Sequence, residues 1–306
     1  MKKSGQHILV VLLSSVSVIP GIHASETVIN APTLAELANA TYAGIEEEPI
    51  NLSGGSWQGE PYVDGGASRP GVGLVEEIYL AGDLEGDGKQ DAAVILWQSS
   101  GGTGSFTYLA VMTRTENGIS NVDTALIGDR VKFRSWQLVD GKIVIDVLQA
   151  GENDAMCCPG TLATRTWTME NNRLMEGQIN VTGELSLAAL EGTGWLLTHM
   201  DRQTPIENAE VTLNVQKGRI GGKSACNHYS ADIKGGENAG DIHIGVAMST
   251  RMACPDHLMN IEQAYLDALS RVDSFSFQFG SLALRGQNND GETFNLLFRP
   301  FEAETP

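Results

Sequence analysis

The chain has 306 residues, 38 of them acidic and 20 basic, with a formal net charge of −18. That excess repels the phosphates of nucleic acids and anionic membrane surfaces, so neither is expected as a partner. The length suits two domains, and 35 glycines set between short apolar runs favour β structure.

Met1, Lys2 and Lys3 make a basic start, and Ile8 to Ile19 is an apolar run of signal-peptide length, too short to span a bilayer. Pro20 and Gly21 break the run, and Ile22 and Ala24 offer the −3 and −1 positions of a cleavage site, so residues 1–24 are expected to be removed. Loss of Lys2 and Lys3 moves the charge from −18 to −20. That segment has no cysteine for lipid attachment, and no later stretch reaches the roughly 18 apolar residues of a membrane helix. A periplasmic or secreted protein without a membrane span is the expectation.

Thr33 and Glu36 have capping-box spacing ahead of Leu37, Ala38 and Tyr42, which predicts a short helix. Strands are expected at Leu74–Leu80, Ala92–Trp97 and Phe106–Met112. Val131–Val139 and Lys142–Leu148 flank Asp140-Gly141, the dipeptide of a two-residue hairpin turn. Asn117-Gly118 is a second turn signal, and Thr161–Met169 before Asn171-Asn172 reads as the last strand of a first domain. Regularity fades between Arg173 and Gly192, and strands resume at Trp195–Met200, Glu210–Gln216 and Ile242–Val246, with turns at Lys217-Gly218 and Gly235-Gly236. After Pro255-Asp256, apolar Leu258, Ile261, Tyr265, Leu269 and Val272 recur at helical spacing. Phe275–Phe279, Ser281–Leu284 and Thr293–Phe298 close the chain as strands, with a turn at Asp290-Gly291.

The loop Asp83 to Asp91 carries the clearest chemical pattern. Carboxylates at Asp83, Glu85, Asp87 and Asp91 occupy positions 1, 3, 5 and 9, with Gly86-Asp87-Gly88 allowing a sharp turn. Calcium takes six to eight oxygens, so four side chains and the Lys89 carbonyl can wrap one ion. An EF-hand is not expected, because position 12 is Val94 and position 3 is Glu. The alternative is a solvated acidic turn without an ion. If calcium binds, its role is structural, since every candidate ligand is internal to the loop.

Four cysteines follow the leader: Cys157, Cys158, Cys226 and Cys254. An even count in an oxidising compartment favours disulfides, and pairing Cys226 with Cys254 is the simplest arrangement. Cys157-Cys158 can form a vicinal ring, stay reduced or bond elsewhere. Cys226 and His228 with Cys254 and His257 also offer four zinc-type ligands, but oxidised thiols and irregular spacing argue against zinc. Gly101-Gly102-Thr103-Gly104-Ser105 lacks the Gly-Lys-Ser/Thr ending of a phosphate-binding loop and reads as a hairpin loop. In Gly128-Asp129-Arg130, Asp129 and Arg130 can pair with each other or with the acidic loop, and a surface ion pair is the favoured reading. No nucleophile elbow or His-Glu-x-x-His motif is present, so no catalytic residue is expected.

Trp195-Leu196-Leu197, Gly222 with Cys226-Asn227 and Tyr229, the run Ala247 to Cys254, Glu262, Tyr265-Leu266, Leu269 and Leu296-Leu297-Phe298 together resemble the META domain, also seen in the heat-shock protein HslJ. The resemblance runs from about Gly194 to Arg299, with Ala225 where members usually have Gly. It implies a small α+β domain of exported or envelope proteins, linked to stress response and without established catalysis. The acidic loop is similar to those of FG-GAP repeats, and the first part resembles an uncharacterised exported module.

The expected fold class is α+β, mostly antiparallel β, in two domains. Residues 25–175 form a mostly β domain with the acidic loop, 176–192 a linker, and 193–302 a small barrel-like sheet with one packed helix. The expected function is non-enzymatic binding of an envelope protein or small ligand, with calcium as the one candidate cofactor. The alternatives are an inhibitor or assembly factor of an envelope enzyme, and a hydrolase with its site in the first domain.

Overall fold

Thr33 accepts the Glu36 amide at 3.3 Å, and the Glu36 carboxylate accepts the Thr33 amide at 2.8 Å, so the reciprocal cap expected from the sequence opens α1 (Leu34–Leu37). The computed structural model describes residues 30–152, 154, 158–201 and 209–301. The signal segment and Cys157 lie outside them.

After α1, β1 (Thr41–Tyr42) pairs with β2 (Ile50–Asn51). An antiparallel meander follows: β3 (Ser56–Gln58), β4 (Gly71–Gly82), β5 (Asp91–Ser99), β6 (Phe106–Thr115) and β7 (Gly118–Asp129). A second sheet holds β8 (Lys132–Val139), β9 (Lys142–Gln149), β10 (Thr161–Glu170), β11 (Arg173–Glu176) and β12 (Asn180–Glu184), the last two lying along one edge of β10. Asp140 and Gly141 both have positive φ, 51° and 71°, as the hairpin turn between β8 and β9 requires.

The two sheets stack face to face. Val75, Ile95, Leu109 and Val111 of the meander meet Phe133, Ile145, Val147 and Trp167 of the second sheet. The other face of the meander is covered by α1 and the β1–β2 hairpin through Leu37, Tyr42, Ile50 and Leu52. β5 is thus buried on both sides, which explains why Ala92 to Leu96 is an unbroken apolar run instead of an alternating one. Arg114 fastens the outer layer: its guanidinium donates to both Glu36 carboxylate oxygens at 2.8 Å and to the Asn30 and Ala31 carbonyls. Those bonds, with the Thr33 cap, pull the Glu36 carboxyl down to about 2.

The C-terminal sheet contains β13 (Gly194–Met200), β14 (Thr212–Gln216), β15 (Arg219–Lys223), β16 (His228–Gly235), β17 (Ile242–Ile244), β18 (Met248–Ser249), β19 (Val272–Gln278), β20 (Ser281–Gln287) and β21 (Thr293–Phe301). Its order is β17-β16-β15-β14-β13-β21-β20-β19, with β18 beside β16. A bridge between Asp241 and Ser274 brings the two edges together, so the sheet is a nearly closed barrel. The class is α+β, mostly antiparallel β, as expected. α2 (Asp256–Leu269) buries Tyr265 and Leu269 against it. Val272, read from its spacing as the end of this helix, instead opens β19, because Ser270 ends the helix and the chain turns at Arg271.

Other elements depart from the sequence reading. The long strands β7 and β16, the glycine-rich β15 and the short β1, β2, β3, β11, β12 and β18 were not expected. The segment 176–192, read as a linker, holds β12 and a 3-10 turn at Leu187–Leu190. Leu148, Leu162 and Leu185 join the core of the C-terminal barrel, so the apolar interior is continuous from β9 and β10 into it.

Candidate functional site

The acidic loop connects β4 to β5. Gly86 and Gly88 take φ of 75° and 84°, which the turn needs and which L-residues disfavour. The Asp83 carboxylate accepts the amides of Gly86, Asp87 and Gly88 at 2.7, 3.1 and 3.0 Å, so position 1 organises the loop backbone. Asp87 accepts the Lys89 amide at 2.9 Å and its ammonium at 2.5 Å, which lowers the Asp87 carboxyl. Leu84 between them is buried and anchors the loop to the sandwich core.

Asp91 differs from these. It is fully buried, and Oδ2 accepts the Leu84 amide at 2.9 Å while Oδ1 has no hydrogen-bond partner. An unmet carboxylate oxygen in the interior costs free energy unless a cation or water answers it. Continuing the register that pairs Ala92 with Met112 sets Thr113 opposite Asp91, and Thr113 Oγ1 is also buried and unpartnered. Glu85 is pushed up by burial and then by Asp91, Asp87 and Asp83, with Lys89 opposing.

Among the described residues, however, no three Asp, Glu, His or Cys side chains converge as a metal-binding group. Asp83 spends its oxygens on loop amides and Asp87 on Lys89. Beside the loop lies a cavity of about 790 Å³, lined by Glu85, Asp87 and Lys89 with Thr113, Arg114 and Asn172. Sequence spacing located the loop; the Asp87–Lys89 pair and the involvement of Thr113 were not anticipated.

Gly128-Asp129-Arg130 does not reach the acidic loop. Asp129 pairs with Arg130 and accepts the Ser105 amide at 2.8 Å, while Arg130 N donates to the Ser105 carbonyl at 2.7 Å. The Arg130 guanidinium also binds the Thr103 carbonyl, so the motif holds the base of the glycine-rich hairpin loop between β5 and β6.

In the barrel, Cys226 and Cys254 form a disulfide. Asn227 beside it is 4% exposed; its Oδ1 accepts Thr250 Oγ1 at 2.8 Å and the Met252 amide at 2.7 Å. Glu262 on α2 accepts the Asn227 amide at 2.8 Å, Asn227 Nδ2 at 3.1 Å and Ser224 Oγ at 2.9 Å. Tyr229 donates to the Thr212 carbonyl at 3.1 Å, and its oxygen lies 2.6 Å from the Tyr265 hydroxyl. Burial pushes both phenols well up. A Cβ on Gly222 would sit 2.1 Å from the Thr212 carbonyl oxygen, so glycine is required by close packing. These residues join the β15–β16 connection, the Thr250–Cys254 stretch and α2 into one unit.

Residues 188–297, which contain every one of these groups, match a known family. The match is to the META domain. The chain is also similar to the protein from Burkholderia xenovorans solved by NMR, at 26% identity over 39% of this chain and 90% of that one, with a TM-score of 0.31. No curated protein matches the chain. Among the described residues no helix is long and apolar enough to cross a membrane.

Proposed function

We propose that this is an exported, non-enzymatic binding protein in which a META domain serves as a rigid scaffold. The observation that carries the reading is the mutual satisfaction of the signature groups. Cys226 is spent on Cys254, Asn227 and Ser224 on Glu262, and Tyr229 on Tyr265 and Thr212. Groups paired with one another fix a shape; catalysis needs side chains aimed at a reacting centre. The disulfide supports an oxidising compartment, and with it the leader at residues 1–24.

The acidic loop adds a structural calcium to this reading. Asp83, Glu85, Asp87 and Asp91 with the Lys89 carbonyl would hold the ion, which supplies charge neutralisation at the buried Asp91 oxygen. Lys89 must then release Asp87. An inhibitor or assembly role for an envelope enzyme is a form of the same binding function.

Fractionation of cells expressing the whole gene, followed by intact mass measurement, tests export. The expected species is envelope-located, lacks residues 1–24 and is lighter by two hydrogens for the Cys226–Cys254 bond. A cytoplasmic species with both thiols free would overturn the reading. Cross-linking of the mature protein in periplasmic extract tests binding, where one saturable partner or ligand is expected and none would refute it.

A further inference from the structure

A second cavity, of about 350 Å³, lies where the N-terminal sandwich meets the outer face of the barrel. Lys132 at the start of β8 lines it from one side, and Arg285 of β20 from the other. Ser274 and Asn295 are the cross-strand partners of Arg285 on β19 and β21, so the three side chains form a row across the sheet. Ser276 and Gln278, on the same face of β19, extend it.

The charge balance of this cleft is opposite to that of the chain. The protein carries 38 acidic and 20 basic residues, yet none of the described residues lining the cleft is acidic. Elsewhere Arg114, Arg165, Arg219 and Lys223 sit in ion pairs with carboxylates. Lys132 and Arg285 have neither an ion pair nor a side-chain hydrogen bond among the described residues. Asp273, which accepts Ser274 Oγ at 2.7 Å, does not line the cavity.

We infer that this cleft binds a small molecule bearing phosphate or carboxylate groups. A guanidinium offers a planar fork to such an oxyanion and an ammonium a point charge, while the Ser276 hydroxyl and the Gln278 and Asn295 amides supply neutral donors. The volume falls in the range of small-ligand sites. A net negative surface repels most anions, so only a ligand reaching both cations together gains attraction. The inference deepens the binding role proposed above by naming a ligand class, and it is independent of calcium.

The test is a titration of the mature protein with citrate in one arm and inorganic pyrophosphate in the other, followed by calorimetry and amide NMR. Saturable binding in either arm is expected, with shifts centred on Ser274, Ser276, Arg285 and Asn295; the responding arm identifies the oxyanion. Arg285→Gln and Lys132→Gln should each weaken binding at least about tenfold, and Arg285→Lys less than Arg285→Gln. Both side chains are exposed, so unchanged unfolding temperatures are expected for the variants. No saturation in either arm, equal affinity in the Gln variants, or binding only of acidic peptides would overturn the small-anion site. Any of these leaves the cross-linking experiment to judge the wider binding role.

Discussion

Removing the Cys226–Cys254 bond by a double alanine substitution measures how far the barrel depends on its cross-link. The cysteines are 28 positions apart in sequence. Closing a loop of that size removes unfolded-chain entropy equivalent to about 3.5 kcal/mol at 25 °C. Cys226 is 3% exposed, so alanine also sheds buried sulfur contacts, which adds to the loss. Against this, Glu262 still holds the Asn227 amide, and the β15–β16 ladder is untouched. The expected net loss is about 3–4 kcal/mol. Urea unfolding followed by far-ultraviolet dichroism reads it, with tryptophan emission, to which Trp195 in the barrel core contributes, as a second probe. Reductant should shift the wild-type transition toward that of the variant and leave the variant unmoved. A loss below about 1 kcal/mol, or a wild-type transition insensitive to reductant, would refute the view that this bond stabilises the domain.

Calcium at a hundredfold excess over its dissociation constant should stabilise the mature protein by about 2.7 kcal/mol, seen as a rise in unfolding temperature, and Asp87→Ala or Asp91→Asn should abolish both that rise and the heat of binding. Absence of heat with the unmodified protein sinks the site. The tyrosine pair predicts an asymmetry in equilibrium unfolding: Tyr229→Phe leaves the buried Tyr265 hydroxyl without its partner and costs about 2 kcal/mol, whereas Tyr265→Phe costs about 1 because Tyr229 keeps the Thr212 carbonyl. Equal losses would contradict that donor order. Glu36→Gln breaks a partly exposed pair with Arg114 and should cost under about 1 kcal/mol at neutral pH. Since folding lowers the Glu36 carboxyl from 4.5 to about 2, its contribution is complete above 4.5 and fades as pH falls through 2. Wild type and variant should therefore converge in acid unfolding; a constant gap across that window would be the wrong result.

Local chemistry was the most legible part of the sequence. The Thr33–Glu36 cap, the Asp140-Gly141 turn and the positive φ of Asn171, Asn172, Lys217 and Gly218 all follow from neighbouring residues. The stripe on α2 gave its buried face for the same reason. β7 was missed because its partly buried positions mix Ile119 and Val122 with Asn121 and Asp123, whose side chains bond to β6, β7 and β11 rather than to water. β15 reads as a glycine-rich turn, yet Gly221 and Gly222 are there so that β14 and β16 can approach. In the acidic loop, spacing reveals the carboxylates but not that Lys89 claims Asp87. The cleft at Lys132 and Arg285 joins residues more than 150 positions apart, and no local pattern marks it.

The barrel begins and ends at one place. Gly194, the first residue of β13, pairs with Phe301, the last of β21, so the chain enters and leaves on adjacent strands. A unit with its two ends side by side can be spliced into a surface loop of an unrelated host without spreading that loop apart, or appended to a terminus with equal ease. Such geometry makes the module portable between proteins. In this chain the transfer is less free, because Leu148, Leu162, Leu185 and Leu190 lend their side chains to its interior, and a host would have to supply four apolar substitutes.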